Sequence, residues 1–377
     1  MPWEEVSTMS LRKEFVMLAL QDGVNRRELC RRFGVSAKTG YKWLKRYKDE
    51  GAEGLMDRSR RPNHSPNSTP LALERAVVKL RKTHPAWGGR KLHRRLSQMG
   101  VRSLPSPSTI TAILHRHSLI EPEASQKAQS FIRFEHAAPN QLWQMDFKGH
   151  FAMAAGRCHP LTVLDDHSRF SLTLYACSNE QGMTVQDVLT KTFRRYGLPE
   201  RMLMDNGAPW GNNTDSPLTP LTVWLIRLGV NISHSRPYHP QTMGKDERFH
   251  RTLKAEVLSR YHFKDLAACQ RRFNRWRDTY NQERPHESLK MDVPAQHYQP
   301  SQRYFPAILP EIEYAPTDKV RKVQNNGHIF FKGHIFRISK ALRGYPVALR
   351  PLPKDGEFSV HFCHIMVAEI DLRNPYR

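Results

Sequence analysis

Three acidic residues lie in separate segments of the sequence, each of which has the pattern of a regular element. Asp146 is in the middle of residues 140–151, where polar and hydrophobic residues alternate as in a strand. Asp205 ends the short apolar segment 199–207, and Glu247 lies in an amphipathic helix. Carboxylates that converge from separate elements are the oxygen ligands that Mg²⁺ prefers. The pattern indicates metal-dependent chemistry.

The helix that carries Glu247 also carries basic residues. Its polar side follows the spacing i, i+3, i+4 and i+7, which places four residues on one face: Glu247, His250, Arg251 and Lys254. A second face is apolar and predicts the core side: Phe249, Leu253 and Val257. A carboxylate beside cations suits a metal site that also binds phosphate. The alternative is a solvated helix face with ordinary ion pairs.

Four motifs together resemble the signature segments of bacterial insertion-sequence transposases with a retroviral-integrase-like catalytic core: WQMDFKG, LMDNG, HPQTMGKDERFHRTLK and YNQERPHESL. The resemblance implies that Asp146, Asp205 and Glu247 are the catalytic, metal-binding triad. It implies two Mg²⁺ ions, for which Mn²⁺ can substitute, and DNA cleavage followed by strand transfer into target DNA. Two other functions remain open. One is a ribonuclease-H-fold nuclease without strand transfer, and the other is a DNA-binding regulator with a degenerate core.

The last of the three triad motifs departs from the family pattern at two positions. Met243 stands where Asn is expected, and Asp246 stands where an apolar residue commonly precedes the catalytic Glu. Adjacent helical residues point about 100° apart, so Asp246 and Glu247 cannot occupy one ligand position. The family alignment, together with the position of Glu247 relative to Phe249 and Leu253, favours Glu247.

Composition points to nucleic acid as the partner. The 377 residues carry a formal net charge of +23, a field that attracts polyanions. No apolar run approaches the roughly 18 residues of a membrane span, and the N-terminus shows no secretory signal. The five Cys show neither a disulfide framework nor zinc spacing. We therefore expect a bacterial cytoplasmic, nucleoid-associated protein that forms homo-oligomers on double-stranded DNA, binding transposon ends and target, without a membrane partner or structural zinc.

The N-terminal part predicts two helix-turn-helix units. In the first, Asn25 and Ser36 are the expected N-caps of the second and third helices, and the third is expected to enter the major groove. Its predicted DNA contacts are Lys38, Thr39, Lys42, Lys45 and Arg46. The second unit is winged-helix-like, with predicted contacts Arg90, Lys91 and Arg94. Further DNA contacts are expected from the helix after Asp205: Lys245, Arg248, His250, Arg251 and Lys254.

The predicted fold class is multidomain α/β, with N-terminal all-α helix-turn-helix units, a central ribonuclease-H-like α/β core and a C-terminal small β-barrel. Eight segments are expected in this order: first helix-turn-helix domain 1–57, linker 58–70, second helix-turn-helix domain 71–120, linker 121–138, catalytic core 139–262, post-core helical segment 263–300, linker 301–318 and barrel 319–377.

Overall fold

Two compact units make up the chain, Met1–Ser68 and Thr69–Arg377. The structure, a computed structural model, describes five stretches: 8–59, 68–120, 136–211, 218–235 and 244–374. Most of the predicted linkers 58–70 and 121–138 therefore lies outside the described residues. Among the helices within these stretches, none is long and apolar enough to cross a membrane.

The first unit contains the three predicted helices: α1 Thr8–Ala19, α2 Arg26–Arg32 and α3 Ala37–Glu50. Both expected N-caps are confirmed. The Asn25 side chain accepts hydrogen bonds from the first-turn N–H groups of α2, and the Ser36 hydroxyl accepts one from Thr39 N. Phe15, Cys30 and Trp43 form part of a small core between the helices. Local capping and an apolar stripe are thus sufficient to define this unit.

The second unit begins with another three-helix arrangement: α4 Leu71–Thr83, α5 Gly89–Gln98 and α6 Pro107–Arg116. Trp87 is fully buried and stacks on His84 with ring centroids 3.9 Å apart. Helices α5 and α6 cross closely at Gly89, where a β-carbon would lie 2.3 Å from Thr111 Oγ1 and 2.5 Å from the carbonyl oxygen of Pro107. This crossing leaves no room for a side chain.

A mixed sheet flanked by helices follows. Its strands are β1 Leu142–Phe147, β2 Phe151–Ala152, β3 Arg157–Asp165, β4 Ser171–Cys177, β5 Arg201–Met204 and β6 Asn231–His234. The helices in this part are α7 Gly182–Tyr196, α8 Pro220–Arg227, α9 Gly244–Leu253 and α10 Leu266–Gln282. A π-helical segment, Lys254–Leu258, continues α9. Strands and helices thus alternate in the second half of this part, and the sheet is mixed α/β, as expected for the core.

Strand β1 lies at the centre of this sheet. It pairs antiparallel with β3 on one side and parallel with β5 on the other. Beyond these, β4 is antiparallel to β3 and β6 is parallel to β5, while β2 pairs with the beginning of β3. Helices α7 and α8 pack on one face of the sheet, and α9 and α10 pack on the other. The central position of β1 brings its residues within reach of elements on both sides.

The C-terminal part is a second β structure. A four-stranded antiparallel sheet has the order β12-β11-β10-β7, formed by β7 Lys319–Lys322, β10 Pro346–Pro351, β11 Glu357–Phe362 and β12 Ile365–Asp371. A separate hairpin consists of β8 His328–Phe331 and β9 His334–Arg337. The predicted strands are present, but their closure into a barrel is not confirmed. This part shares a hydrophobic cluster with Val223 and Ile226 of α8, so it packs on the core.

Residues 301–318, which we expected to be a linker, contain no regular helix or strand but contact the core. The guanidinium of Arg303 donates hydrogen bonds to the carbonyl oxygens of Pro199 and Gly229, and Phe305 packs against Phe193. Just before this segment, the ring of Tyr298 stacks on Phe170 at 4.3 Å. Isolated aromatic and Arg anchors leave no periodic signal in the sequence.

We expect Gly89→Ala to destabilise the second unit by about 1–3 kcal/mol, because the added methyl group overlaps Thr111 and Pro107. The neighbouring change Gly88→Ala is the matched control, since no atom of the described residues outside its chain neighbours lies within 4 Å of its β-carbon position. Urea unfolding of both full-length variants measures the difference. Equal stability of the two variants would contradict the tight helix crossing.

Candidate active site

Asp146 and Asp205 lie on neighbouring parallel strands. Asp146 is near the end of β1, and Asp205 follows the last residue of β5. The strands pair in register from Leu142 with Arg201 to Gln144 with Leu203, so each Asp is two residues beyond the last pair. The carboxyl ends of adjacent parallel strands therefore bring the two predicted triad residues together, as an open α/β sheet places its ligands.

The two carboxyl groups affect each other. Burial, together with the nearby charge of Asp205, raises the pKa of Asp146 to about 7. Burial also raises the pKa of Asp205, although the N–H of Gly207 donates to its Oδ1 at 3.1 Å and favours the ionised form. Like charges confined in a half-buried site favour a cation between them.

Helix α9 packs beside β1 and directs Asp246, not Glu247, toward Asp146. Asp246 is fully buried, and both of its carboxyl oxygens lie 3.2 Å from the hydroxyl of Thr162 on β3. The same hydroxyl lies 2.8 Å from His250 Nε2 and donates to the carbonyl oxygen of Asp146 at 2.9 Å. His250 Nδ1 is 3.9 Å from Asp146 Oδ2. Thr162, Asp246 and His250 thus form a buried polar cluster next to Asp146.

Burial opposes charge in this cluster. Burial, and next the charge of Asp146, raises the pKa of Asp246 well above its usual value. Burial lowers the pKa of His250 to about 3, so its imidazole is neutral. The hydroxyl of Thr162 has one proton to share among several acceptors. Buried polar groups of this kind are stable only when they are paired.

Glu247 lies on the solvent side of α9 and is exposed. Among the residues that the structure describes, the potential metal ligands that lie close together near β1 are Asp146, Asp246 and His250, within 4.8 Å of one another. The reason is the helical repeat: Asp246 precedes the buried Phe249 by three residues, whereas Glu247 is rotated by about 100°. The assignment of Glu247 as third ligand remains a prediction.

The cationic residues of α9 also divide between two sides. Arg248, Arg251 and Lys254 are exposed beside Glu247. His250, which we expected on that polar face, is only 7% exposed and lies in the interior against Thr162. His250 follows the buried Asp246 by four residues as well as the exposed Glu247 by three, and its contact with the Thr162 hydroxyl places it on the buried side of α9.

Lys245, another predicted DNA contact, takes part in a buried network. Its Nζ lies 2.5 Å from Asp166 Oδ2, and Gln144 Nε2 donates to Asp166 Oδ1 at 2.8 Å. Gln144 Oε1 accepts from the backbone N–H of Asp246 at 3.3 Å. Burial opposes ionisation of Asp166, but Lys245 and His136 outweigh it and hold its pKa below the usual value. The network ties the first turn of α9 to β1.

Four of these residues were missed as site residues: Gln144, Thr162, Asp166 and Asp246. Two signals in the sequence point to them. Gln144 shares one side of the strand with Asp146, and Asp246 shares the core side of the helix with Phe249 and Leu253. Asp165, in contrast, caps its own turn, because its carboxylate accepts from the N–H and hydroxyl of Ser168.

The third helix of the first unit presents a cationic face. Lys38, Lys42 and Lys45 are exposed, together with Tyr41, which is 47% exposed. Their spacing of i, i+3, i+4 and i+7 places all four on one side of α3. Among the other predicted contacts, Thr39 bonds to the capping Ser36, and Arg46 is half-buried beside the ring of Trp43. Tyr41 was not among the residues singled out from the sequence, where its only signal is its position on the same helical side as these lysines.

The basic residues of α5 meet acidic partners in the post-core segment. Arg94 Nη2 lies 2.7 Å from Asp292 Oδ1. Arg90 Nη1 is 3.9 Å from Glu287 Oε1. Burial, followed by the charge of Arg284, lowers the pKa of Lys91 to about 8. Arg94 and Lys91 therefore face the protein, whereas the side chain of Arg90 stays exposed.

Comparison with known families agrees with this arrangement. Two integrase core domain families match residues 136–240 and 228–294. A helix-turn-helix domain matches 11–63, and a homeodomain-like domain matches 39–114. The C-terminal domain of the IS481 family transposases matches 318–376. With the fold and the paired carboxylates, these matches define an integrase-core polynucleotidyl transferase of the DDE class with DNA-binding helix-turn-helix units.

Relatives come from mobile elements. The chain is 27% identical over 241 residues to the insertion element IS476 uncharacterized 39.2 kDa protein of Xanthomonas euvesicatoria, which covers 62% of this chain and 67% of that protein. It is 22% identical over 286 residues to the insertion element IS407 uncharacterized 31.7 kDa protein of Burkholderia multivorans, and this match covers 74% of this chain and 93% of that protein. It is 23% identical over 259 residues to the transposase for transposon Tn552 of Staphylococcus aureus, and this match covers 60% of this chain and 51% of that protein. Together with the family matches, these relatives support the assignment of an insertion-sequence transposase with an integrase-like core.

The buried carboxyl of Asp246 predicts a pH effect on stability. A pKa raised in the folded state means that folding retains a proton that the unfolded chain releases, so stability falls as pH rises above the ordinary Asp pKa. In the wild type this loss of unfolding free energy reaches up to about 1.4 kcal/mol per pH unit. Asp246→Asn removes it, because the amide does not titrate. Urea unfolding at pH 5 and pH 8 should show the variant gaining stability relative to the wild type at the higher pH.

The matched control for this change is Asp187→Asn, which removes the same formal charge from an exposed position on α7. If Asp246→Asn and Asp187→Asn shift stability equally between the two pH values, burial does not raise the pKa of Asp246 in the folded protein.

Proposed function

We propose that the protein binds the ends of its insertion sequence and performs divalent-metal-dependent DNA cleavage and strand transfer through Asp146, Asp205 and Glu247. The observation that carries this proposal is the position of Asp146 and Asp205 at the carboxyl ends of adjacent parallel strands, where burial and the charge of Asp205 raise the pKa of Asp146. Homo-oligomers on double-stranded DNA would bring two ends and a target together.

The donor set fits Mg²⁺. Asp146 and Asp205 supply carboxylate oxygens, the ligands that a hard cation takes, and the raised pKa of Asp146 reflects negative charge that a cation would neutralise. Two Mg²⁺ ions, or Mn²⁺ in their place, would make water or a DNA 3′-hydroxyl more nucleophilic and stabilise the leaving oxygen. Asp146, Asp205 and Glu247 would hold them.

The remaining residues of this site hold β1 and α9 in position around Asp146. Thr162 and His250 fix β1 and α9 around Asp146, and Lys245 fixes the start of α9 through Asp166. The exposed cations Arg248 and Arg251, beside Glu247, suit the phosphates of a bound strand. Helix α9 therefore combines a buried side that holds it against β1 and an exposed side that binds the substrate.

A second function is favoured by one observation. Among the described residues, the potential ligands grouped near Asp146 are Asp246 and His250, and Glu247 lies outside this group. A transposase whose third ligand is displaced would retain DNA binding without catalysis, as a DNA-binding regulator does. A ribonuclease-H-fold nuclease without strand transfer is separated from both by whether cut ends are joined to target DNA.

The triad is tested by Asp146→Asn, Asp205→Asn and Glu247→Gln. Each change should abolish Mg²⁺-dependent cleavage and joining of duplexes that carry the terminal sequences of the element. Each variant should bind DNA within a fewfold of the wild type, because affinity comes mainly from Lys and Arg. A gel assay of cleavage and joining, with anisotropy titrations of the same proteins, provides both measurements.

Asp246→Asn is the matched comparison for Glu247→Gln. It should reduce the rate by no more than about 10- to 100-fold, as expected for a residue that orients a ligand. If Asp246→Asn reduces the rate more than Glu247→Gln does, Asp246 is the third ligand. Wild-type protein that binds the ends but cleaves nothing in Mg²⁺ would favour the regulator, and cleavage without joining would favour the nuclease.

Sequence reading is proposed for the exposed face of α3. Lys38→Ala should relax the preference at one base position and cost about 1–3 kcal/mol of discrimination there. Sequencing of duplexes selected by the full-length protein from a randomised pool measures this. Lys13→Ala, which removes the same charge from an exposed position of α1, is the control. If both variants select the same sequences as the wild type, Lys38 does not read a base.

A further inference from the structure

The second helical unit has two basic helices, and their basic residues are in different surroundings. On α5, Arg94 pairs with Asp292 at 2.7 Å and Arg95 pairs with Glu283 at 2.6 Å. These acidic partners follow α10 in the chain, so the basic side of α5 is the surface by which this unit contacts the post-core segment. To present this side to DNA, the protein would have to break both ion pairs.

Helix α4 carries an unpaired basic stripe. Arg75, Lys79 and Lys82 are spaced i, i+4 and i+7, so they lie along one side of the helix. All three are exposed, and within the part of the chain that the structure describes their side chains have no ion pair or hydrogen bond. Long cationic side chains without partners are available to an external anion.

The acidic residue of α4 does not oppose this stripe. Glu74 is bound by His117 Nε2 at 2.7 Å and by Arg116 Nη2 at 3.3 Å, and its side chain is only 14% exposed. The surface between α4 and the end of α6 is an open groove of about 620 Å³, which Arg75, Lys79 and Lys82 also line. The local field is therefore cationic along the whole stripe.

The dimensions of the stripe match duplex DNA. From Arg75 to Lys82 the helix rises about 10 Å, at 1.5 Å per residue. One strand of B-DNA carries a charge about every 3.4 Å along the axis, so about three phosphates lie along the same length. Three long cationic side chains along one side of a helix suit a phosphate backbone, because phosphate contacts position a protein and do not read sequence.

We propose that the stripe of Arg75, Lys79 and Lys82 on α4 is the surface by which the second helical unit binds the phosphate backbone of duplex DNA, while the basic side of α5 binds the post-core segment of the same chain. This inference rests on the proposed function for its ligand, DNA. It differs from the sequence-based expectation, which placed the DNA contacts of this unit at Arg90, Lys91 and Arg94 on α5.

Two triple variants of the full-length protein test the inference. The α4 variant is Arg75→Gln, Lys79→Gln and Lys82→Gln, and the α5 variant is Arg90→Gln, Arg94→Gln and Arg95→Gln. Each removes three positive charges from the same helical unit, so the pair is matched in charge and location. The measurement is the Kd for a duplex of random sequence by fluorescence anisotropy at several salt concentrations, with thermal unfolding of each protein.

We expect the α4 variant to bind about 10- to 100-fold more weakly at 0.1 M salt. The slope of log K against log salt should become shallower by about 2.7, which is about 0.9 for each of three lost phosphate contacts. Its Tm should stay close to that of the wild type, because the three side chains have no partners to lose. The α5 variant should keep the wild-type slope within about one phosphate contact and should have a lower Tm.

A charge-conserving variant, Arg75→Lys with Lys79→Arg and Lys82→Arg, should bind like the wild type if the stripe acts by its charge. An undiminished salt slope in the α4 variant, or a larger loss of slope in the α5 variant, would overturn the inference alone. Failure of the wild type to bind any duplex would overturn the proposed function and this inference with it.

Discussion

The parallel pairing of β1 with β5 is the constraint on which the candidate site depends, because it brings the carboxyl groups of Asp146 and Asp205 to the same edge of the sheet. Burial, and next the charge of Asp205, raises the pKa of Asp146 to about 7. A cation bound between the two carboxyl groups would release their repulsion, and this release contributes to the free energy of cation binding.

Helix α9 meets this charged site with a buried side that is polar, which is unusual for a helix packed on a sheet. Phe249 and Leu253 provide the hydrophobic contact, but Asp246 and His250 lie among them, and burial raises the pKa of Asp246 and lowers that of His250. Their hydrogen bonds through Thr162 connect the helix to the backbone of Asp146 itself. A shift of α9 would therefore change the surroundings of the first carboxylate as well as the position of Glu247.

The excess of positive charge, 59 Lys and Arg against 36 Asp and Glu, does not by itself identify where DNA binds. Arg94 and Arg95 contact Asp292 and Glu283 inside the chain, and Lys245 is held by Asp166. Such partly buried pairs contribute to the packing between segments and are lost as phosphate ligands. The positions that remain for DNA are the exposed cations without acidic partners, and these lie on only some of the basic helices.

The sequence by itself determined the elements and the pair of aspartates, since these depend on local patterns. The N-caps Asn25 and Ser36 and the strands that carry Asp146 and Asp205 follow from short-range signals. Only the tertiary structure decided that His250 faces inward against Thr162, that Arg94 pairs with Asp292, and that residues 301–318 pack on the core. These outcomes depend on which residues, far apart in the chain, meet in space. A helical or alternating period specifies the faces of an element, but the partner that covers each face is chosen by the packing of the whole fold.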